Sequence, residues 1–180
     1  IESELLDHGY YIYGWRQVPI NNSVIGEKAN STRPEIEQVM FVNNIERESN
    51  FDYSKELYLV RRRLEKRIAK QQINGFYVCS LSFESIIYKG LFLAEQLSIF
   101  YPDLANYSFV SSYAVFHQRY STNTFPSWGL AQPFRMLAHN GEINTISGNT
   151  NWMRNHQTRI TSEIFGDDSE QVKPIIEKNV

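Results

Sequence analysis

Cysteine is nearly absent from this chain: among 180 residues only Cys79 carries a thiol. An internal disulfide is therefore excluded, and such usage points to a reducing compartment. Proline and glycine, with 6 and 9 residues, are too few for a collagen-like or low-complexity chain. No apolar run is long enough to span a bilayer, so no membrane role is expected. Charge of one sign is lacking as well, because 18 basic and 20 acidic side chains leave a net charge of −2. That balance gives no bulk attraction to nucleic acid or to an anionic membrane surface. There is no Walker loop and no Gly-x-Gly-x-x-Gly run to cradle a phosphate. His117, His139 and His156 stand far apart, without the spacing of a zinc site. Nor is there an initiating Met. The chain starts at Ile1, with neither the charged start nor the apolar stretch of a secretory leader, which predicts a piece of a longer polypeptide.

What remains is a sequence with 42% hydrophobic and 14% aromatic residues, enough for one core and rich in rings. Alternation over residues 10–15, with Tyr11, Tyr13 and Trp15 on one face, predicts a strand, and residues 35–42 predict a second. A short helix is expected over 23–30, and the polar stretch 43–54 reads as an exposed loop. Leu57, Val60, Leu64 and Ile68 recur at helical spacing, so residues 54–72 predict an amphipathic helix with its charges in water. Residues 75–81 and 85–88 read as a hairpin, and 91–100 as a helix ended by Tyr101-Pro102. Strands are expected over 109–119 and 133–139, a helix over 142–157 with Ile143, Ile146 and Met153 inward, and a strand over 172–176. No repeat or interdomain linker interrupts the pattern. The fold class expected is α+β, with helices covering sheet faces.

Several constellations have plain readings. The basic run Arg61, Arg62, Arg63, Lys66, Arg67 and Lys70 is expected to be a solvated helix face rather than a nucleic-acid footprint. The sequons at Asn21, Asn30 and Asn106 are expected by chance in a chain rich in Asn, Ser and Thr. Asp167, Asp168 and Glu170 read as solvated loop acids, and Cys79 as a structural thiol inside an apolar strand. The segment from His117 to Met153 differs in kind. Arg119 ends a strand pattern and is followed by Tyr120, Ser121, Thr122, Asn123 and Thr124, a guanidinium fork with hydroxyls beside it that suits a carboxylate. Farther on, Asn140-Gly141 joins a strand pattern to a helix pattern, so a side-chain amide and a backbone N–H can converge on an oxyanion. Spacing alone equally allows Asn140-Gly141 to be a tight turn and Arg119 a surface ion pair.

The continuous runs His117 to Trp128, Ala131 to Arg135, His139 to Asn144 and Asn151 to Arg154 closely resemble the class II glutamine amidotransferase domain of glutamate synthases. The resemblance continues upstream through Gly14 to Pro19, Tyr77 to Leu81, Tyr88-Lys89-Gly90 and Phe100 to Leu104, and so covers nearly the whole chain. It implies an N-terminal-nucleophile hydrolase fold, a four-layer α/β/β/α sandwich incomplete in this chain, that hydrolyses glutamine to glutamate and ammonia. Arg119 is then expected to hold the glutamine α-carboxylate with Thr122 in support, and Asn140 and Gly141 to form the oxyanion hole. His139 is expected to back the site without touching substrate. The nucleophile of this family is an N-terminal cysteine whose own α-amine, with an ordinary pKa of about 8, accepts the thiol proton.

This chain departs from that pattern at its first residue, Ile1. Residues 1–180 are accordingly expected to be an interior portion of the glutaminase domain, inactive as a separate segment. The resemblance implies that ammonia passes to a downstream synthase domain that aminates 2-oxoglutarate. FMN and an iron–sulfur cluster are expected in that domain rather than in this segment. Ferredoxin or a nicotinamide-dependent small subunit is the expected electron source. The expected compartment is the cytoplasm, or the plastid in a photosynthetic eukaryote. Two alternatives stand beside this reading: another class II amidotransferase, making asparagine or an amino sugar, and a scaffold that has lost its nucleophile.

Overall fold

The computed structural model describes residues 1–46, 48, 51–120, 125–132 and 145–176. Strand β1 (Tyr10–Gln17) pairs antiparallel with β2 (Glu37–Asn43), in register from Tyr10 opposite Asn43 to Gln17 opposite Glu37. An irregularity between Ile12 and Gly14 leaves Tyr13 without a partner, the geometry of a bulge. Alternation works as the sequence predicts: Tyr11, Tyr13 and Trp15 face outward while Tyr10 is buried. Between the strands, Asn21 starts a 3-10 turn (Asn22–Val24) by accepting from the Ser23 N–H, and helix α2 (Glu27–Ser31) follows. The single helix expected here is thus two short pieces.

A two-stranded sheet is marginal without cover. Its inner face packs on α1 (Glu2–Asp7) and α3 (Tyr53–Lys70) around Leu5, Tyr10, Leu57 and Val60. Asp52 caps α3 by accepting from the Lys55 N–H at 2.9 Å. The Tyr10 hydroxyl donates to Glu56, and Phe41, Phe83 and Tyr53 close an aromatic cluster around the Tyr10 end of the strand.

The charged side of α3 departs from the sequence expectation, because much of it is covered rather than solvated. Leu59 and Arg62 are buried on that side, beneath a 3-10 helix over Gly166–Val172 and the residues after it. Arg62 meets Glu65 at 2.7 Å and donates to the Pro174 carbonyl, Arg63 donates to Gln171 Oε1, and Lys66 donates to the Gln171 carbonyl. Arg61 pairs with Glu65 and Arg67 with Glu4. Much of the basic run is engaged inside the chain, and in place of the expected strand over residues 172–176 Val172 ends the 3-10 helix while Pro174 gives its carbonyl to Arg62.

Two further strand expectations fail. Residues 75–88 form no ladder, because serine hydroxyls take the amides: Ser82 Oγ accepts from Glu84 and Ser85, and Ser80 Oγ from Ile87. Residues 109–119 are exposed and form no strand, with none beside them among the described residues to supply a ladder. The helix expected over 91–100 is reduced to a 3-10 turn (Ala94–Gln96) and α4 (Leu97–Phe100), ending at Tyr101-Pro102 as the sequence predicts. Helix α5 (Ser147–His156) begins later than expected, with Thr150 rather than Ile146 buried. The 133–139 strand and Ile143 lie outside the described residues. Mixed helix and strand make the chain α+β.

Candidate functional site

Beneath the site lies a second core of Val18, Ile25, Phe100, Tyr101 and Trp128. Trp128 anchors it across 99 residues of sequence: its Nε1 donates to the Ala29 carbonyl at 3.0 Å, and its ring packs on Phe92 and Phe100. Gly90 allows this contact. A Cβ there would lie 2.5 Å from Phe92 Cε1 and would overlap the Trp128 ring, so the segment and the indole meet at backbone distance.

Above this core opens a cavity of about 740 Å³, within the range of small-molecule sites. One wall is the segment from Tyr88 to Leu97, and the other comprises residues 116–120 with Pro126, Ala131 and Gln132. Arg119 is on that second wall, beside His117 and Gln118. It is exposed, and among the described residues nothing hydrogen-bonds or ion-pairs with it. The surface-ion-pair reading therefore gains no partner, and the guanidinium remains available to a bound carboxylate. Its neighbour Tyr120 is tied to Ser127: the hydroxyl accepts from the Ser127 N–H at 3.1 Å and donates to the Ser127 carbonyl at 3.2 Å. Thr122, His139, Asn140 and Gly141 lie outside the described residues.

Sequence reasoning passes over Lys89, which lines the cavity while only 9% exposed. Its Nζ donates to the Gly129 carbonyl at 2.8 Å and stands 5.1 Å from the centre of the Tyr77 ring. The Lys89 carbonyl accepts from the buried Tyr101 hydroxyl at 2.9 Å. Burial holds the Lys89 ammonium below its ordinary range, with Arg61 adding to the effect and Cys79 opposing it. No spacing rule signals such a residue; the only sign was its place in the Tyr88-Lys89-Gly90 run.

Cys79 is half-buried, and burial pushes its thiol up despite the opposing pull of Lys89 and Arg61. A thiol so placed is a poor nucleophile. Asp168 accepts from the Gln171 side chain and Glu170 pairs with Lys173, which leaves those acids in local surface contacts. Among the described residues no group of three or more His, Cys, Asp or Glu could hold a metal ion, and no helix is long and apolar enough to cross a membrane.

Residues 1–180, the whole chain, match the family described as class-II glutamine amidotransferases. The chain is 61% identical over 176 residues to the glutamate synthase [NADPH] large chain of Azospirillum brasilense, covering 98% of this chain and 12% of that protein. It is 46% identical to the chloroplastic ferredoxin-dependent glutamate synthase of Spinacia oleracea, over 92% of this chain and 10% of that protein. The Bacillus subtilis glutamate synthase [NADPH] large chain is 41% identical over 98% of this chain and 12% of its own length. The chain thus spans about a tenth of the length of these relatives.

Proposed function

Since the chain belongs to the class II glutamine amidotransferases, we propose that its cavity binds glutamine for hydrolysis to glutamate and ammonia, as the glutaminase segment of a glutamate synthase. The observation that carries this reading is Arg119, on the wall of a cavity of suitable size and without a hydrogen-bond or ion-pair partner among the described residues. Its planar fork meets a carboxylate through two parallel hydrogen bonds, which fixes the amino-acid end of the substrate. Thr122 supports that contact. The Asn140 side chain and the Gly141 N–H donate to the oxygen of the reacting carboxamide as negative charge develops on it. Fixed donors of this kind cost no reorganisation at the moment of reaction, which is why they favour the transition state over bound glutamine. His139 backs these groups. The fold we assign is the four-layer α/β/β/α sandwich, to which β1 and β2 contribute two strands.

The attacking thiol lies outside these residues. Cys79 is the chain's one cysteine, and an internal residue has no α-amine to take the proton. Ammonia is then delivered to 2-oxoglutarate in another part of the parent protein. A single cysteine is also too small a donor set for an iron–sulfur cluster, so we place that cluster, FMN and the acceptor chemistry beyond this segment. Relatives named for NADPH and for ferredoxin align over the same residues, which suits a segment performing the step common to both. The compartment follows the parent protein, and of the plant relatives the Spinacia oleracea protein is named chloroplastic and an Arabidopsis thaliana protein chloroplastic/mitochondrial.

The test uses the full-length protein carrying this segment. Asn140→Ala lowers glutamine-dependent turnover roughly a hundredfold or more while ammonia-dependent synthesis persists. Arg119→Ala chiefly raises KM for glutamine, since it removes a contact made before the transition state. Equal loss of both activities in Asn140→Ala, or an unchanged KM in Arg119→Ala, overturns the assignment.

A further inference from the structure

A lysine that is only 9% exposed needs a physical reason to be there. Taking an ammonium out of water is costly unless it is well bonded, and a Met or Leu fills the same volume without that cost. Lys89 recovers part of the loss through the Gly129 carbonyl at 2.8 Å and the Tyr77 ring at 5.1 Å. Gly129 lies between Pro126 and Ala131, which line the cavity, while Tyr77 packs on the Trp128 core beneath it. Gly129 follows Trp128, whose indole is pinned to Ala29, and Ser127 before it is bound through both backbone groups to the Tyr120 hydroxyl. Tyr120 is joined directly to Arg119. A continuous series of contacts thus runs from the Lys89 ammonium through residues 127–129 to the guanidinium on the opposite wall.

Resting on the glutaminase reading above, we propose that Lys89 is a positioning residue for the substrate-carboxylate clamp. By fastening Gly129 it sets the distance between the two cavity walls and so the place of Arg119 before glutamine arrives. The Lys89 main chain is itself fixed by the Tyr101 hydroxyl, and Gly90 lies against Trp128 with no room for a side chain, so the lysine reaches across from a rigid base. A flexible wall would instead require substrate to order the loop, at a cost in affinity. Lys89 touches no reacting atom in this account. Its effect passes through Gly129 and Tyr120 and is confined to binding.

The test is steady-state kinetics of the full-length protein with glutamine. Lys89→Met raises KM roughly tenfold while kcat changes less than about twofold, and Lys89→Arg, which keeps a donor for Gly129, restores KM to within about threefold of wild type. Tyr120→Phe loses one hydroxyl with little packing, raises KM in the same direction, and supplies the test by itself where Lys89→Met does not fold. The double variant shows less than the product of the two single effects, because both act through one loop. A lowered melting temperature with unchanged KM in Lys89→Met makes the lysine a core brace only and overturns the proposal. An unchanged KM in Tyr120→Phe, or fully multiplicative effects in the double variant, also overturns it. Failure of the underlying reading is distinct, since the wild-type protein would then release no ammonia from glutamine.

Discussion

At the scale of single residues, charge and burial are opposed around Tyr77. Its phenol is pushed up to about 12, by burial first and by the neighbouring Cys79 second. Because the folded-state value lies above the unfolded value of about 10, the protonated phenol is favoured by folding, and that stability is present below pH 10 and lost as pH rises toward 12. Tyr77→Phe removes this one contribution. The urea midpoint, followed by circular dichroism, should therefore decline less between pH 9 and 11 in Tyr77→Phe than in wild type. An identical decline would show that the phenol does not titrate against folding. Arg119 illustrates the other side of legibility. Its chemical fitness for a carboxylate is plain in the sequence, but its lack of a partner among the described residues and its place on a cavity wall are tertiary facts.

Among the elements, those that satisfy themselves locally are the legible ones. Helix α3 announces itself through Leu57, Val60 and Leu64, and the structure keeps those boundaries to within two residues and adds the Asp52 cap. β1 and β2 are equally plain, since each alternates and each finds the other. The expected hairpin over 75–88 fails because β-rich composition does not decide which group receives an amide proton, and Ser80 and Ser82 take three of them. Arg62 fails as a solvated charge for a similar reason: helical periodicity cannot foresee a 3-10 helix arriving from more than a hundred residues away. The segment containing Gly90 invites a direct test of close packing. Gly90→Ala drives a methyl into the rings of Phe92 and buried Trp128, which have little room to retreat, and overpacking of this kind costs about 1–3 kcal/mol. Glutamine hydrolysis by the full-length variant should accordingly be lost at lower temperature than in wild type. Equal thermal inactivation would mean that the indole yields.

For the molecule as a whole, a few long-range polar ties decide how the parts stay together. Arg16 on β1 grips Asp103 through two hydrogen bonds of 2.8 and 2.6 Å, and the Tyr88 hydroxyl donates to the same carboxylate at 2.9 Å. This triad joins the sheet, the 102–105 turn and the start of the cavity wall. Arg16 holds the Asp103 carboxyl below the usual carboxylate range, with Tyr88 assisting. The sign is that of a depressed acid: its stabilisation is present above the unfolded value of about 3.9 and is lost as pH falls through the folded value. With Arg16 40% exposed, solvent screens the pair to about 1 kcal/mol or less. Hydrogen-exchange protection factors over residues 86–104, which divide out the intrinsic pH dependence of amide exchange, should fall as wild type is acidified from pH 5 to 3 and should be lower but flatter with pH in Asp103→Asn. Parallel profiles would remove Asp103 from the acid response. None of this triad is visible in sequence spacing, since Arg16 and Asp103 are 87 residues apart.

The seating of Trp128 has an optical consequence. The chain's three tryptophans occupy very different surroundings, with Trp128 3% exposed against aromatic rings, Trp15 41% exposed and Trp152 77% exposed. The first should emit at shorter wavelength and resist acrylamide, while the other two are quenched freely. Lifting of the 125–132 wall would transfer one indole from the shielded population to the quenched one, so the cavity carries its own spectroscopic gauge of whether that wall is in place.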